Sequence, residues 1–349
     1  MKNKLWLSAF IMAIVFFIFA SFYSLPFYVQ KPGSAFALDD IVEVENRTES
    51  AGEFSLMTIS QVQANIFAYL WAKFDDYQVV FPVEQVRNPH ESDEEYSVRQ
   101  LYLMDNSATQ AIEVAFKKAE AEYSYTYRGV YVLSVYPDMP AEDVLRAGDR
   151  ITSIDQTAFE SSEEFIDYVA TKKEGDVISI RVDRDGQIIE EELPLKAFPE
   201  QPEQIGLGIS LVDDRTIETD PVVSINSDGI GGPSAGLMYS LEIYDQLLDE
   251  DLTKGYNIAG TGTISADGTV GRIGGIEQKI VAADRQGIEI FFAPKDKLPE
   301  EAVRENPSVQ TNYDAAVETA KDLGTEMKVI PVETFDDALD YLETLEEKS

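Results

Sequence analysis

A serine stands at position 234 in the run DGIGGPSAGLMYSLEI, Asp228 to Ile243, where glycines and a proline give way to apolar residues at helical spacing, Leu237, Leu241 and Leu248. That spacing predicts a helix opening at Ser234, with Pro233 at a first helical position that needs no N–H. Backbone N–H groups at a helix start have no partner inside the helix and favour negative charge. The flanking glycines leave room for a carbonyl to come close to the backbone. A hydroxyl beside free amides is what acyl transfer requires: a nucleophile at Ser234, and oxyanion donors from the backbone of Gly232 and Ser234. The same residues would also make an ordinary helix cap. The run lacks the lysine of a phosphate-binding loop.

A serine nucleophile needs a base. The chain has no cysteine and one histidine, His90, in the polar acidic stretch RNPHESDEEY, which reads as a surface loop. One histidine and no cysteine also leave too few ligands for a catalytic zinc, and no metal site is expected. Lysine remains. Lys279 lies in GGIEQKIVAADRQG, and its neighbours three and four positions away are Gly275, Ile276, Ala282 and Ala283. Glu277, Gln278, Asp284 and Arg285 occupy other faces of the expected helix. A lysine on a small, apolar face loses water, and desolvation favours its neutral form. Moving its pKa from ~10.4 to ~7–8 costs about 4 kcal/mol, a strain folds carry mainly at functional sites. The competing reading is a lysine whose stem packs while its amine reaches solvent.

The two segments together resemble the Ser-Lys proteolytic domain of Lon proteases. GGPSAGLM and GGIEQK carry the resemblance, with the serine and lysine 45 positions apart (279 − 234). The stretch IAGTGTISADGTVGRIGGIEQKIVAADRQGIEIFFAPKD extends it, and it covers about 205 to 345. The resemblance implies that Ser234 is the nucleophile, Lys279 the general base and Thr261 of GTGTI a support for the lysine. Many Lon proteases carry an acid three residues before the serine. Here that residue is Gly231, so any role of the acid is absent or supplied elsewhere, for example by Asp228.

Other elements must position and feed this site. From Tyr127 the chain reads as strand YRGVYVLSV, then MPAEDVLRAGDRITSID, then a helix in SSEEFIDYVATKKEG with Ser161 and Glu164 as a capping box. An alternating strand, DVISIRVDRDGQIIEEELPL, follows. RGVYV and LRAGDRITSID resemble a PDZ domain, except that Gln156 replaces the usual terminal glycine. The resemblance implies that Gly129, Val130, Tyr131 and Val132 accept an added peptide strand. A small α+β spacer without a ligand is the alternative. KAFPEQPEQ, Lys196 to Gln204, reads as a linker.

At the N-terminus, Leu5 to Val29 contain no charge, long enough for a hydrocarbon core of ~30 Å. Lys2 and Lys4 precede the run, which orients the bulk of the chain outside the cytoplasm. A cleaved signal, with AFA at Ala35 to Ala37, is the rival reading. The expected fold class is α+β: a transmembrane helix over 1–30, an unassigned extracytoplasmic region over 38–125, a PDZ domain over 126–196 and a Lon-type proteolytic domain over 205–346. Arranged so, the chain resembles the membrane-anchored, PDZ-containing Lon-like proteases of Gram-positive bacteria.

The net charge of −36 argues against nucleic acid as a partner. No GxxxxGK[ST] motif is present, so no ATP and no other cofactor are expected. The reading is an ATP-independent, single-pass membrane serine endopeptidase, its catalytic domain extracytoplasmic, that cuts peptides or accessible protein segments; a homo-oligomer remains open. A catalytically inactive, membrane-tethered PDZ adaptor is the second reading, and a hydrolase of non-peptide esters or amides the third.

Overall fold

The computed structural model describes residues 2–48, 50–88, 91–199, 201–227, 229–298, 303–304 and 308–348. His90 and Asp228 lie outside the described residues. The helices are α1 (Lys2–Phe22), α2 (Ile66–Ala72), α3 (Asp93–Ala119), α4 (Ser162–Ala170), α5 (Gly236–Leu247), α6 (Ile276–Arg285), α7 (Asn312–Leu323) and α8 (Phe335–Glu343). The strands up to the middle of the chain are β1 (Ser24–Ala37), β2 (Val42–Val44), β3 (Glu53–Asn65), β4 (Val79–Pro82), β5 (Glu122–Val135), β6 (Arg150–Ile154), β7 (Val177–Arg184) and β8 (Gln187–Pro194). The rest are β9 (Lys196–Phe198), β10 (Gln201–Gly206), β11 (Ile209–Asp220), β12 (Val223–Ile225), β13 (Asn257–Gly260), β14 (Thr263–Ile264), β15 (Val270–Gly271), β16 (Ile290–Pro294) and β17 (Lys328–Val332).

The chain divides into two compact units. The first joins residues 1–42, 48–88 and 234–349; the second joins 43–47 and 89–233. This differs from the linear succession of domains expected above. In the first unit a six-stranded sheet runs in the order β17-β16-β13-β3-β1-β4. β13 pairs in parallel with both β16 and β3, while β1 pairs antiparallel with β3 and β4. The N-terminal region, which offered no chemistry as sequence, thus supplies three of the six strands. β16, paired in parallel on both sides, reads as a continuous apolar run: all five of its residues, IFFAP, are buried, as two-sided burial in a parallel sheet requires. α6 and α7 pack over one core with Met57, Ile276, Ile280, Phe291, Ala316 and Ala320. α5 is buried along most of its length, with Leu237, Met238, Tyr239, Leu241 and Ile243 fully enclosed.

The transmembrane helix is not supported: among the described residues no helix is long and apolar enough to cross a membrane. The uncharged run is divided between two elements. α1 ends at Phe22, and the chain then enters β1, where Tyr28 pairs with Gln63 on one side and Phe81 on the other. Tyr28 and Val29 are buried in the first unit, so the last residues of the run serve a sheet.

The second unit is built on a five-stranded antiparallel sheet in the order β11-β5-β6-β7-β8. Val130, Val132, Ile151, Ile178, Ile180 and Val182 form its core with Phe165 and Val169 of α4. The alternation of Ile178, Ile180 and Val182 inward is as the sequence predicts. The supposed linker is not one: Lys196 to Phe198 and Gln201 to Gly206 form a two-stranded pair, β9 with β10. β11 then returns to the sheet along the whole length of β5, so this unit extends well past residue 205.

The strand that leads to Thr261 has no spare volume. A Cβ at Gly260 would stand 2.7 Å from the Met238 sulfur and 2.9 Å from Phe292 Cβ. Gly260→Ala is therefore expected to lower stability by about 1–3 kcal/mol through overpacking. The midpoint of a urea denaturation curve measures it, and an unchanged midpoint would show that the sheet and α5 yield easily.

Candidate active site

Lys279 is one turn into α6, whose first residue follows Gly275 in the left-handed region at φ 70°. That turn is closed by Lys279 N–H donating to the Gly275 carbonyl. A glycine suits this position because a Cβ there would be strained and would meet Ile59 at 2.9 Å. The helix buries Ile276, Ile280, Ala282 and Ala283 beside the lysine. Lys279 itself is 2% exposed and counts among the largest enclosed side chains. Among the described residues no carboxylate pairs with it, and burial brings its pKa down from an ordinary 10.5 to about 7.

The amine meets two oxygens. Its Nζ is 2.8 Å from Ser234 Oγ and 2.8 Å from Thr261 Oγ1. Thr261, fully buried just after β13, donates its hydroxyl proton to the Ser234 carbonyl at 3.0 Å, and Gly262 N–H donates to the same carbonyl at 2.9 Å. These bonds fix the direction of the protons. Thr261 has one hydroxyl hydrogen, already given to Ser234, so toward the amine it accepts. A neutral lysine that sends one N–H to Thr261 has a second N–H and a lone pair left, either of which can face Ser234. The serine is only half-buried, so its hydroxyl is reachable while the amine beside it is enclosed.

The helix begins later than expected. α5 starts at Gly236 with Ala235 as its cap, and Ser234 sits in the preceding turn. The two expected oxyanion donors also differ. Gly232 N–H donates to the carbonyl of Gln100 at 2.8 Å and is not free. Ser234 N–H makes no hydrogen bond among the described residues. Gly231, at the place of the missing acid, would bring a Cβ within 2.9 Å of Gln100 Cβ. A side chain of any kind is excluded there by α3.

The expected peptide-binding strand is displaced by the sheet order. Gly129, Val130, Tyr131 and Val132 lie in β5, which is flanked by β11 and β6. Val130 pairs with Asp213 and with Ile151, so no edge remains for an added strand. One edge of the sheet is β8; the other is β11, whose only strand partner among the described residues is β5. Beside that edge, between α4 and the segment 201–211, is a cavity of about 760 Å³ lined by Phe165, Ile166, Val169, Ile205, Leu207 and Leu211. Its floor is the turn Gly206-Leu207-Gly208-Ile209. Gly208 has φ 84°, and a Cβ there would collide with Met139. The N–H groups of Leu207 and Gly208 find no partner among the described residues. Asp213 of β11 accepts from Ser162 N–H at 2.6 Å, tying the two walls at the start of α4. Sequence reasoning missed this turn; the signal was a pair of glycines around one leucine at the head of an alternating strand.

Comparison with known families gives two matches. Residues 110–195 match the PDZ domain, and residues 223–342 match the Lon protease (S16) C-terminal proteolytic domain. A Lon protease of Campylobacter concisus is 33% identical over 109 residues, 31% of this chain and 11% of that protein. One of Citrifermentans bemidjiense is 26% identical over 259 residues, 72% of this chain and 31% of that protein. The chain thus spans a third or less of the length of these two relatives. The PDZ domain of the SdrC-like protein of Listeria monocytogenes is 48% identical, covers 25% of this chain and 90% of its own, and superposes with a TM-score of 0.24. The chain carries a PDZ domain and a serine protease domain of the Lon type.

Lys279 generates two expectations. With a pKa of about 7, the neutral fraction, and with it the rate, rises with pH through a midpoint near that value. Lys279→Arg stays charged and is expected to be as inactive as Lys279→Ala; a pH–rate profile beside the Arg variant checks both. For stability the sign is as follows. The folded pKa lies below the unfolded one, so the cost of burying the charge is full below about 7 and fades as pH rises toward 10.5. Lys279→Met is expected to be more stable than wild type by several kcal/mol near neutral pH, with a margin that narrows in alkali. Urea curves of both proteins at pH about 6 and about 9.5 measure it; a constant margin would mean that the lysine is not buried as an amine.

Proposed function

We propose that the chain is a serine endopeptidase that cleaves peptides or accessible protein segments with a Ser234–Lys279 pair. The observation that carries this reading is the 2.8 Å contact between Ser234 Oγ and an amine held neutral by burial. In the forward step Lys279 takes the hydroxyl proton as Ser234 Oγ bonds to the peptide carbonyl carbon. The carbonyl electron pair moves onto oxygen, which Ser234 N–H is placed to stabilise. Collapse of the tetrahedral species expels the amine, protonated by Lys279, and leaves an acyl-serine. Water, deprotonated by the same lysine, then releases the acid and restores the hydroxyl. Thr261 keeps the amine oriented throughout.

In the same proposal the groove beside β11 receives the substrate's peptide chain as an added strand, with the Leu207 and Gly208 amides at a terminal carboxylate. Its apolar lining favours apolar side chains. Cleavage is read as independent of ATP, since these 349 residues contain no nucleotide-binding loop motif. Work outside the cytoplasm is read from Lys2 and Lys4 ahead of an uncharged run, of the kind that directs export. Labelling of intact cells with a reagent that cannot enter them tests that location.

Ser234→Ala is expected to reduce cleavage of an unstructured peptide by at least ~10³-fold without altering the melting curve. Addition of ATP is expected to change neither protein. A Ser234→Ala protein that cuts at the wild-type rate would end the proposal. Ile166, on the groove and 49% exposed, tests the second site. Ile166→Glu is expected to weaken binding of a peptide with an apolar C-terminus by ~10-fold, since loss of an apolar contact of about 1.4 kcal/mol is tenfold in affinity. Hydrolysis of a small substrate should be unaffected. Fluorescence anisotropy reads the first and initial rates the second; equal peptide affinity would remove the groove from substrate capture.

A further inference from the structure

The mechanism uses the Ser234 amide, and its direction is set by a bond that lies elsewhere in the chain. Ser107, on α3 and 3% exposed, donates its hydroxyl to the carbonyl of Pro233 at 3.0 Å. A buried helical serine commonly returns its hydroxyl to the carbonyl one turn back, as Ser240 does on α5. Ser107 instead reaches outside its helix. Seven residues earlier on the same face of α3, the Gln100 carbonyl accepts Gly232 N–H. Two consecutive residues of the loop are thereby clasped by positions two turns apart. Gly231 and Gly232 allow the approach, since a Cβ at either would press on Gln100.

The Pro233 carbonyl and the Ser234 N–H belong to one planar peptide unit, and in a trans unit they point in opposite directions. Anchoring the carbonyl on Ser107 therefore directs the Ser234 N–H away from α3 and keeps the plane from turning over. Gly232 cannot substitute for a misdirected amide, because its N–H is bound to Gln100. We infer that Ser107 is a positioning residue for the peptidase step: its hydroxyl locks the 233–234 peptide plane so that the Ser234 N–H faces the developing oxyanion. The inference rests on the peptidase reading above.

Loss of an oxyanion donor costs ~10²–10³ in kcat, and a donor that is loosened rather than removed costs less. Ser107→Ala in the full chain is expected to lower kcat by ~10- to 100-fold, equivalent to about 1.4–2.7 kcal/mol. KM should stay within about twofold, because the amide acts on the oxyanion and not on the bound peptide. The midpoint of the pH–rate profile should not move, because Lys279 is untouched. Inhibition by a peptide aldehyde, whose adduct with the serine carries that oxygen, should weaken by a similar factor. Ser107→Thr and Ser107→Val have one shape and differ in the hydroxyl; the threonine is expected to keep kcat within about threefold and the valine to resemble alanine. This pair carries the test should the alanine variant unfold.

Equal kcat for the threonine and valine variants, or a wild-type kcat for Ser107→Ala, would overturn the inference. So would a kcat loss accompanied by a shifted pH midpoint, which would place the action of Ser107 on the lysine. A wild-type chain that does not cleave, or a Ser234→Ala chain that does, would overturn the peptidase reading itself; a Ser107 failure in an active, Ser234-dependent enzyme would leave that reading standing.

Discussion

The catalytic half of this molecule turns on one constraint: an amine that has no counter-ion among the described residues and lies between two hydroxyl oxygens. A paired lysine would hold its proton, and an exposed one would hold it nearly as well. Lys279 has no partner carboxylate among the described residues and is 2% exposed, so its neutral form is favoured near pH 7. Every neighbour serves that condition. Ile276, Ile280, Ala282 and Ala283 exclude water, Thr261 takes one N–H, and Ser234 lies within hydrogen-bond reach. The cost is stability that the fold must recover in its apolar core.

The same economy explains the residues around Ser234. Its carbonyl is held by Thr261 and Gly262, and the carbonyl before it by Ser107. The peptide units on both sides of the nucleophile are therefore restrained by hydrogen bonds. The glycines of GGPSAG, which as sequence suggest room for a substrate, also fit against a helix. Gly231 and Gly232 are small because Gln100 lies beside them. A position where related proteases place an acid is here closed to any side chain.

The groove follows from sheet order alone. A strand can be added only where a row of N–H and C=O groups is unpaired. β5 is interior and β11 is at an edge, so the proposed peptide groove lies along a segment some eighty residues downstream of the motif that suggested it. Gly206 and Gly208 permit the sharp approach of the chain to that edge, and α4 closes the other side with apolar side chains.

Much of this was legible in the chain as written. The small and apolar residues at three- and four-residue steps from Lys279 pointed to a lysine on a buried face, because helix periodicity decides which side chains share a face; that the amine as well as the stem is enclosed is seen only in the structure. GGPSAG marked the turn that leads into α5, and the alternation of Ile178, Ile180 and Val182 marked a half-buried strand. These signals are local, and local spacing carries them. What the sequence could not carry were pairings between distant segments. The uncharged N-terminal run divides at Phe22 because β3 and β4 offer β1 its hydrogen-bond partners. Gly129 to Val132 are enclosed because β11 returns to cover them. Ser107 and Gln100 meet the nucleophile loop across more than a hundred residues of chain. Only tertiary structure decides such contacts, because edge, burial and hydrogen-bond partner are properties of where two segments meet and not of either segment alone.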